Sequence, residues 1–90
     1  MGTTLIKLKL MPTSPEVDLE QIKESAKTII ENNQGRKCVF DEKPIAFGLK
    51  AVITSFDIDE ETPLDPIEEG LRKMENVNSV EVLDMRRAFG

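Results

Sequence analysis

Hydrophobic and polar positions alternate at the start of the chain. Over residues 3–10, Ile6, Leu8 and Leu10 share one side, and Leu5 shares the other side with two lysines. A period of two is typical of a half-buried strand, and the prolines at positions 12 and 15 end it because they cannot donate to a sheet. We therefore predict a first strand over residues 3–10.

The next apolar positions recur every three to four residues, which predicts a helix from about residue 19 to residue 32 or 33. Asp18 is placed to cap the first turn, and Gln21, three residues later, completes a capping-box pattern. Gly35 supplies the exit from this helix.

Two strands are predicted after the helix. The first covers residues 37–40 and contains the single cysteine, Cys38, which we interpret as a buried strand residue. The second covers residues 47–58 and carries apolar side chains on both faces, which indicates a central strand. We favour Val52 and Phe56 as its inward-facing residues, because the opposite face becomes polar towards the strand end.

A second helix and a fourth strand complete the pattern. Thr62 and Pro63 predict the helix start, as N-cap and first helical residue. The helix has a buried stripe formed by Leu64, Ile67, Leu71 and Met74. We expect it to end at residue 76 or 78, before a last strand that contains Val80, Val82 and Met85.

This order of elements predicts one α+β domain over residues 1–90. Two right-handed crossovers interleave into a four-stranded antiparallel sheet with both helices on one face. That is the ferredoxin-like βαββαβ arrangement.

The amino-acid composition excludes or disfavours several kinds of functional site. Histidine is absent, which removes imidazole bases and most zinc sites. A net charge of −5, with no tyrosine or tryptophan, argues against a sheet that binds nucleic acid, because such sheets need basic and stacking groups. One cysteine cannot form an internal disulfide, which suits a reducing cytosol. Neither a signal peptide nor a membrane span is visible in the sequence.

An acidic run between the third strand and the second helix has the alternate spacing of a calcium loop. An EF-hand loop needs glycine at its sixth position, and that position is Thr62 here. We interpret Asp57, Asp59 and Glu61 as part of a solvated loop that leads acidic charge to a helix N-terminus.

The clearest functional signal is the stretch Pro44-Ile45-Ala46-Phe47-Gly48-Leu49-Lys50. In one interpretation Phe47 begins the third strand and packs in the core, with Gly48 easing a bulge. In the other, Pro44 and Gly48 bracket a loop tip that presents Phe47 outward as an anchor for a partner. The sequence pattern leaves both open.

Arg86 and Arg87 form a second candidate site near the chain end. As neighbours on a strand they point to opposite faces, so only one of them can reach a given target. They are either solvated terminal charges or a basic group suited to a phosphate or carboxylate, which could also compete with a metal ion for that charge.

Three segments of the chain resemble the archaeal elongation factor 1-beta family and the C-terminal exchange domain of its eukaryotic members. They are residues 9–12, residues 42–49 and residues 78–82, and the resemblance covers essentially the whole chain. It implies a guanine-nucleotide exchange factor, not an enzyme with covalent chemistry. The implied partner is elongation factor 1-alpha, the GTPase that delivers aminoacyl-tRNA to the ribosome.

The resemblance also implies roles for particular residues. The aromatic of a Phe/Tyr-Gly motif contacts the GTPase, which here gives a partner-binding group of Phe47, Gly48 and Lys50. In eukaryotic members a penultimate lysine enters the magnesium and phosphate region and helps to expel GDP. Arg87 aligns with that lysine, Arg86 is the possible stand-in, and two extra residues, Phe89 and Gly90, follow Ala88.

The exchange factor is expected to need no cofactor of its own, to contact neither nucleic acid nor membrane directly, and to be a cytoplasmic monomer or weak oligomer. The alternative hypothesis is a ferredoxin-like small-ligand regulatory or oligomerisation domain that uses the open sheet face. Burial of Phe47 in the core would favour that alternative over the exchange factor.

Overall fold

A computed structural model of the chain describes residues 2–88. In chain order the elements are β1 (Thr3–Pro12), α1 (Leu19–Asn32), β2 (Arg36–Pro44), β3 (Lys50–Asp59), α2 (Asp65–Arg72) and β4 (Val77–Ala88). The strands form one sheet in the order β2-β3-β1-β4, and every pairing is antiparallel. The predicted ferredoxin-like α+β fold is confirmed.

The core lies between one face of the sheet and the two helices. Val52 and Phe56 of β3 point into it, as predicted, beside Ile6, Leu8 and Leu10 of β1. The helices contribute Ile22, Ala26, Ile30, Ile67 and Leu71, with Leu64 and Met74 partly buried at the margin. Both helices therefore cover the same face, which leaves the other face of the sheet open.

The start of α1 is capped by Asp18 as predicted, but the prediction of a capping box with Gln21 was wrong. The Asp18 carboxylate accepts a hydrogen bond from the backbone N–H of Glu20 at 3.0 Å. The Gln21 side chain does not return to the cap. Its Oε1 accepts from Nδ2 of Asn76 at 3.5 Å, which links α1 to the turn before β4.

The exit from α1 depends on a close contact of Gly35. Gln34, not Gly35, adopts the left-handed backbone, with φ 75°. A Cβ at Gly35 would lie 2.1 Å from Cγ2 of Ile30. Glycine is therefore needed here for space.

Cys38 lies in β2, partly buried against the core, and this burial raises the pKa of its thiol.

Several predicted boundaries were wrong, and prolines account for most of the errors. β1 continues to Pro12, and β2 runs to Pro44. α2 begins at Asp65 instead of Pro63, and Thr62 donates its backbone N–H to the carbonyl of Asp59 in a turn. Leu64 occupies the N-cap position without a side-chain cap.

The predicted C-terminal end of α2, at residue 76 or 78, was also wrong. The helix ends at Arg72, and β4 already begins at Val77, which pairs with Pro12. Within residues 2–88, no helix is long and apolar enough to cross a membrane.

Candidate functional site

A tight hairpin joins β2 to β3 and places Phe47 and Gly48 at its tip. Pro44 pairs with Lys50, and the N–H of Leu49 donates to the carbonyl of Ala46 at 2.9 Å. Phe47 has φ 55° and Gly48 has φ 79°, the signs required at both central residues of a type I′ turn. β3 thus begins after the turn, and the prediction that Phe47 is its first residue was wrong.

Phe47 is 95% exposed, so the interpretation of this residue as part of the core is also wrong. A bulky side chain at positive φ is uncommon and costs about 1–2 kcal/mol. Exposure of an apolar side chain and backbone strain both lower the stability of a protein that has no partner. Their coincidence in one residue is typical of a functional position.

The apolar surface at this tip is larger than Phe47. Pro44, Ile45 and Ala46 are all exposed as well, so four consecutive apolar residues face solvent. Such a run is unusual on a monomer unless it serves binding. We call residues 44–48 the hairpin tip.

The β1–α1 loop lies beside the hairpin tip. A Cβ at Gly48 would lie 3.9 Å from Cβ of Pro15, and a shallow groove between the two segments is lined by Pro12, Ser14, Pro15, Val17, Leu19, Gly48 and Lys50. Sequence reasoning placed Ile45 in the same stretch as Phe47 but not in the partner-binding group, and it missed Pro15 as a member of this surface. The run of apolar residues between Pro44 and Gly48 was the available signal for Ile45.

An ion pair joins α1 to β2 close to the hairpin. Nζ of Lys23 lies 2.8 Å from Oε2 of Glu42 and donates to it. This hydrogen bond lowers the pKa of Glu42 and raises that of Lys23. Lys50, which is exposed at the start of β3, also lowers the pKa of Glu42 through its charge, but less strongly.

The two candidate arginines lie within β4 and not on a free tail. Arg86 is opposite Leu5 and Arg87 is opposite Thr4, so they occupy opposite faces of the sheet, as predicted. Nε of Arg86 is 2.7 Å from Oδ2 of Asp84, and Nε of Arg87 is 3.6 Å from Oε2 of Glu60. The extra residues Phe89 and Gly90 lie outside the described residues.

The structure does not bring Phe47 and the arginines together. β3 starts beside the hairpin tip at Lys50, and its Ile58 lies in the same row of the sheet as Thr4 and Arg87. The two rows are eight positions apart along β3, a distance of about 26 Å. The two candidate sites are therefore at opposite ends of the sheet.

The open face of the sheet carries interleaved charges. Lys9 pairs with Glu81 at 3.3 Å, and Lys37 lies 4.0 Å from Asp57. Between residues 2 and 88, no group of three or more acidic or cysteine side chains is arranged to hold a metal ion. Asp57 and Asp59 belong to β3, so the prediction that they lie in a solvated loop was wrong, and only Glu61 lies in the turn before α2.

Comparison with known proteins connects this geometry to one family. The sequence model described as "EF-1 guanine nucleotide exchange domain" matches residues 5–88. The chain is 43% identical to elongation factor 1-beta of Methanococcus maripaludis over 86 residues, covering 94% of this chain and 97% of that protein. It is 42% identical to elongation factor 1-beta of Methanocaldococcus jannaschii over 90 residues, covering 98% of this chain and 100% of that protein.

Proposed function

Because the chain belongs to the family of EF-1 guanine nucleotide exchange domains, we propose that it binds elongation factor 1-alpha and accelerates the release of GDP from it. Its role in translation elongation is that of a nucleotide exchange factor, and exchange of a bound nucleotide makes and breaks no covalent bond. The proposal adds the identity of the GTPase, a cytoplasmic site of action and the residues that act.

Phe47 is the proposed anchor for the GTPase. The single observation that carries this assignment is its 95% exposure on a hydrogen-bonded turn. An aromatic side chain held on a rigid turn loses little conformational freedom on binding and fills a pocket well. Gly48 supports the turn through its positive φ, and Lys50 adds a cation beside the apolar contact.

The arginines at the other end of the sheet are the proposed nucleotide-displacing group. GDP is held in the GTPase through magnesium and phosphate contacts, and a guanidinium brought to that region competes for the same negative charge. An exchange factor that binds the empty GTPase more tightly than the loaded one must weaken nucleotide binding by the same factor. Cellular nucleotide levels, not the exchange factor, then decide which nucleotide rebinds.

The alternative of a regulatory or oligomerisation domain would use the open sheet face. The charges interleaved on that face, such as the Lys9–Glu81 pair, favour contact with water. Exposed apolar side chains such as Leu5 and Val39 also lie on that face, but the run of four consecutive exposed apolar residues lies at the hairpin tip. These observations support exchange over the alternative.

A release assay tests the proposal directly. Elongation factor 1-alpha loaded with a fluorescent GDP analogue is mixed with excess unlabelled GDP, with and without the exchange protein. We expect the release rate to rise with the concentration of the protein and then to saturate. Release that is no faster with the protein than without it would refute the proposed function.

A further inference from the structure

β4 forms one edge of the sheet, and within residues 2–88 no strand lies on its outer side. The backbone N–H and C=O groups along such an edge are a template for another strand. Two apolar side chains of β4, Val82 and Met85, are also 40% and 55% exposed. Which strand fits this edge depends on how the side chains of β4 are distributed between the two faces of the sheet.

The pairing of β4 with β1 fixes the face of each side chain. Val82 lies opposite Leu8 and Met85 lies opposite Ile6, so both point to the helical side of the sheet. By the same criterion, the side chains on the helical side are Val80, Val82, Met85 and Arg87, and those on the open side include Glu81, Asp84 and Arg86.

A β-bulge makes this distribution symmetric. Leu83 is an extra residue of β4, because the register with β1 shifts between Lys7 and Leu8. Leu83 lines a shallow groove with Lys7 and Ile53, which places it on the open side next to Asp84. From residue 80 to residue 87 the order of faces therefore reads the same in both directions, with its centre between Leu83 and Asp84.

We propose that β4 pairs with β4 of a second copy of this chain, antiparallel and about a twofold axis between Leu83 and Asp84. In this register every residue from 80 to 87 meets a residue from the same face, and the ladder gains about eight backbone hydrogen bonds. Val82 meets Met85 of the second copy, and Glu81 meets Arg86 of the second copy. Each contact occurs twice, because the interface is isologous.

The chemistry of the opposed pairs supports this register. Val82 and Met85 cover each other's exposed apolar surface on the helical side, and Glu81 and Arg86 are opposite charges on the open side. A register displaced one way would set Glu81 against Asp84, which are like charges. A register displaced the other way would set Asp84 against Met85, which belong to opposite faces.

The bulge also explains why the occupant is a second copy and not an unrelated strand. A strand without an extra residue would match the faces of β4 on one side of Leu83 only, because a shift of one residue turns every side chain to the other face. Bulges protect sheet edges from ordinary strands in this way. A second copy brings the same extra residue to the same place, so the match holds on both sides.

Sedimentation velocity of the protein alone, from about 1 µM to about 1 mM, measures this self-association. Glu81→Arg sets an arginine opposite Arg86 of the second copy, and Arg86→Glu sets a glutamate opposite Glu81. We expect each variant alone to self-associate at least about tenfold more weakly than the unmodified protein. An equimolar mixture of the two variants should associate within about threefold of the unmodified protein, because every opposed charge pair is then restored.

The other edge strand provides the control. Asp41 is an exposed acidic residue on the open side of β2, so Asp41→Arg makes the same change of charge away from β4. We expect it to change self-association by less than about twofold. Met85→Ala removes an apolar contact without changing charge and should weaken association by about threefold or more. Thermal unfolding of each variant checks that the fold is retained.

Three results would overturn the proposal. They are a protein that stays monomeric over the whole concentration range, charge variants that associate as well as the unmodified protein, and a mixture of the two variants that does not associate. An effect of Asp41→Arg as large as that of Glu81→Arg would move the interface away from β4 and would also refute it.

This proposal goes beyond the proposed function and does not rest on it. Self-association is measured without the GTPase, and nucleotide exchange is measured by the GDP-release assay. A monomer that accelerates GDP release would retain the proposed function and refute pairing through β4. A dimer that never accelerates release would do the reverse.

Discussion

The guanidinium of Arg86 is held by Asp84, two positions earlier on the same strand, with Nε 2.7 Å from Oδ2. Arg87 has a longer contact, 3.6 Å, with Glu60 of the turn before α2. A close ion pair such as Arg86–Asp84 must be broken before the guanidinium can serve another anion. The difference favours Arg87 as the group that reaches a nucleotide site.

Replacement of each arginine by alanine tests this preference. We expect Arg87→Ala to lower the maximal rate of GDP release by about tenfold or more, and Arg86→Ala to lower it about threefold or less. Because both residues lie within β4, point substitutions are better than truncation, which would remove pairs with β1. A larger effect of Arg86→Ala would reverse the assignment.

Phe47→Ala should impair the exchange protein without unfolding it. The side chain is 95% exposed, so its removal should change the free energy of unfolding by less than about 0.5 kcal/mol. We expect the concentration that gives half-maximal GDP release to rise by about tenfold or more. Val39→Ala, which truncates an exposed residue on the open face, is the control. Normal exchange by Phe47→Ala would remove Phe47 from the interface.

The strained backbone at the hairpin tip predicts a difference between two small substitutions of Phe47. Alanine at φ 55° keeps the steric cost of the left-handed region, whereas glycine does not. After allowance for the greater unfolded-state entropy of glycine, we expect Phe47→Gly to be more stable than Phe47→Ala by about 0.5–1 kcal/mol. Urea denaturation measures this difference, and a less stable glycine variant would contradict the left-handed turn.

Thr54 offers a stabilising substitution in the core. It is fully buried on β3, and among the described residues its hydroxyl has no hydrogen-bond partner. Valine has nearly the same shape without the desolvated hydroxyl, so Thr54→Val should raise the free energy of unfolding by about 1 kcal/mol. Thr54→Ala, which also removes a methyl group, should lower it. A destabilised Thr54→Val would mean that the hydroxyl is satisfied, for example by water.

The Lys23–Glu42 pair predicts a pH-dependent link between α1 and β2. The folded-state pKa of Glu42 lies below its ordinary 4.5, so its contribution to stability is present above pH 4.5 and disappears as the pH falls through the lowered value. The pKa of Lys23 lies above 10.5, so its contribution is complete below pH 10.5 and disappears as the pH rises through the raised value.

We therefore expect Lys23→Met, Glu42→Gln and their double variant to give a coupling free energy at pH 7 that disappears in acid. The coupling should be small, because both side chains retain contact with water. Urea midpoints at pH 7 and pH 2.5 measure it. An equal coupling at both pH values would rule out an ion pair as its origin.

The sequence was most informative where one period of hydrophobicity persisted. The alternation in β1 and the helical spacing in α1 identified both elements and their buried faces. It was least informative beside prolines. Pro12 and Pro44 are themselves the last residues of β1 and β2 and still pair with the neighbouring strand. Pro63 precedes α2 instead of starting it.

For the candidate site, the sequence indicated the correct segment but not its conformation. Strand propensity suggested that Phe47 belonged to β3, whereas Gly48 at the second central position favoured the hairpin turn that the structure contains. Exposure of Val82 and Met85 on β4 could not be predicted, because it depends on how much of the strand α2 covers. The alternating pattern alone would place Val82 and Met85 on opposite faces.

Pairing of Arg87 with Thr4 makes the arginine backbone part of the folded domain before any partner is met. The conformational entropy of ordering this segment is lost during folding and not during association. The sheet therefore fixes the direction in which the Arg87 guanidinium projects from the domain before binding. One consequence is that any substitution that frays the β1–β4 end should slow nucleotide exchange, even where it touches neither partner nor nucleotide.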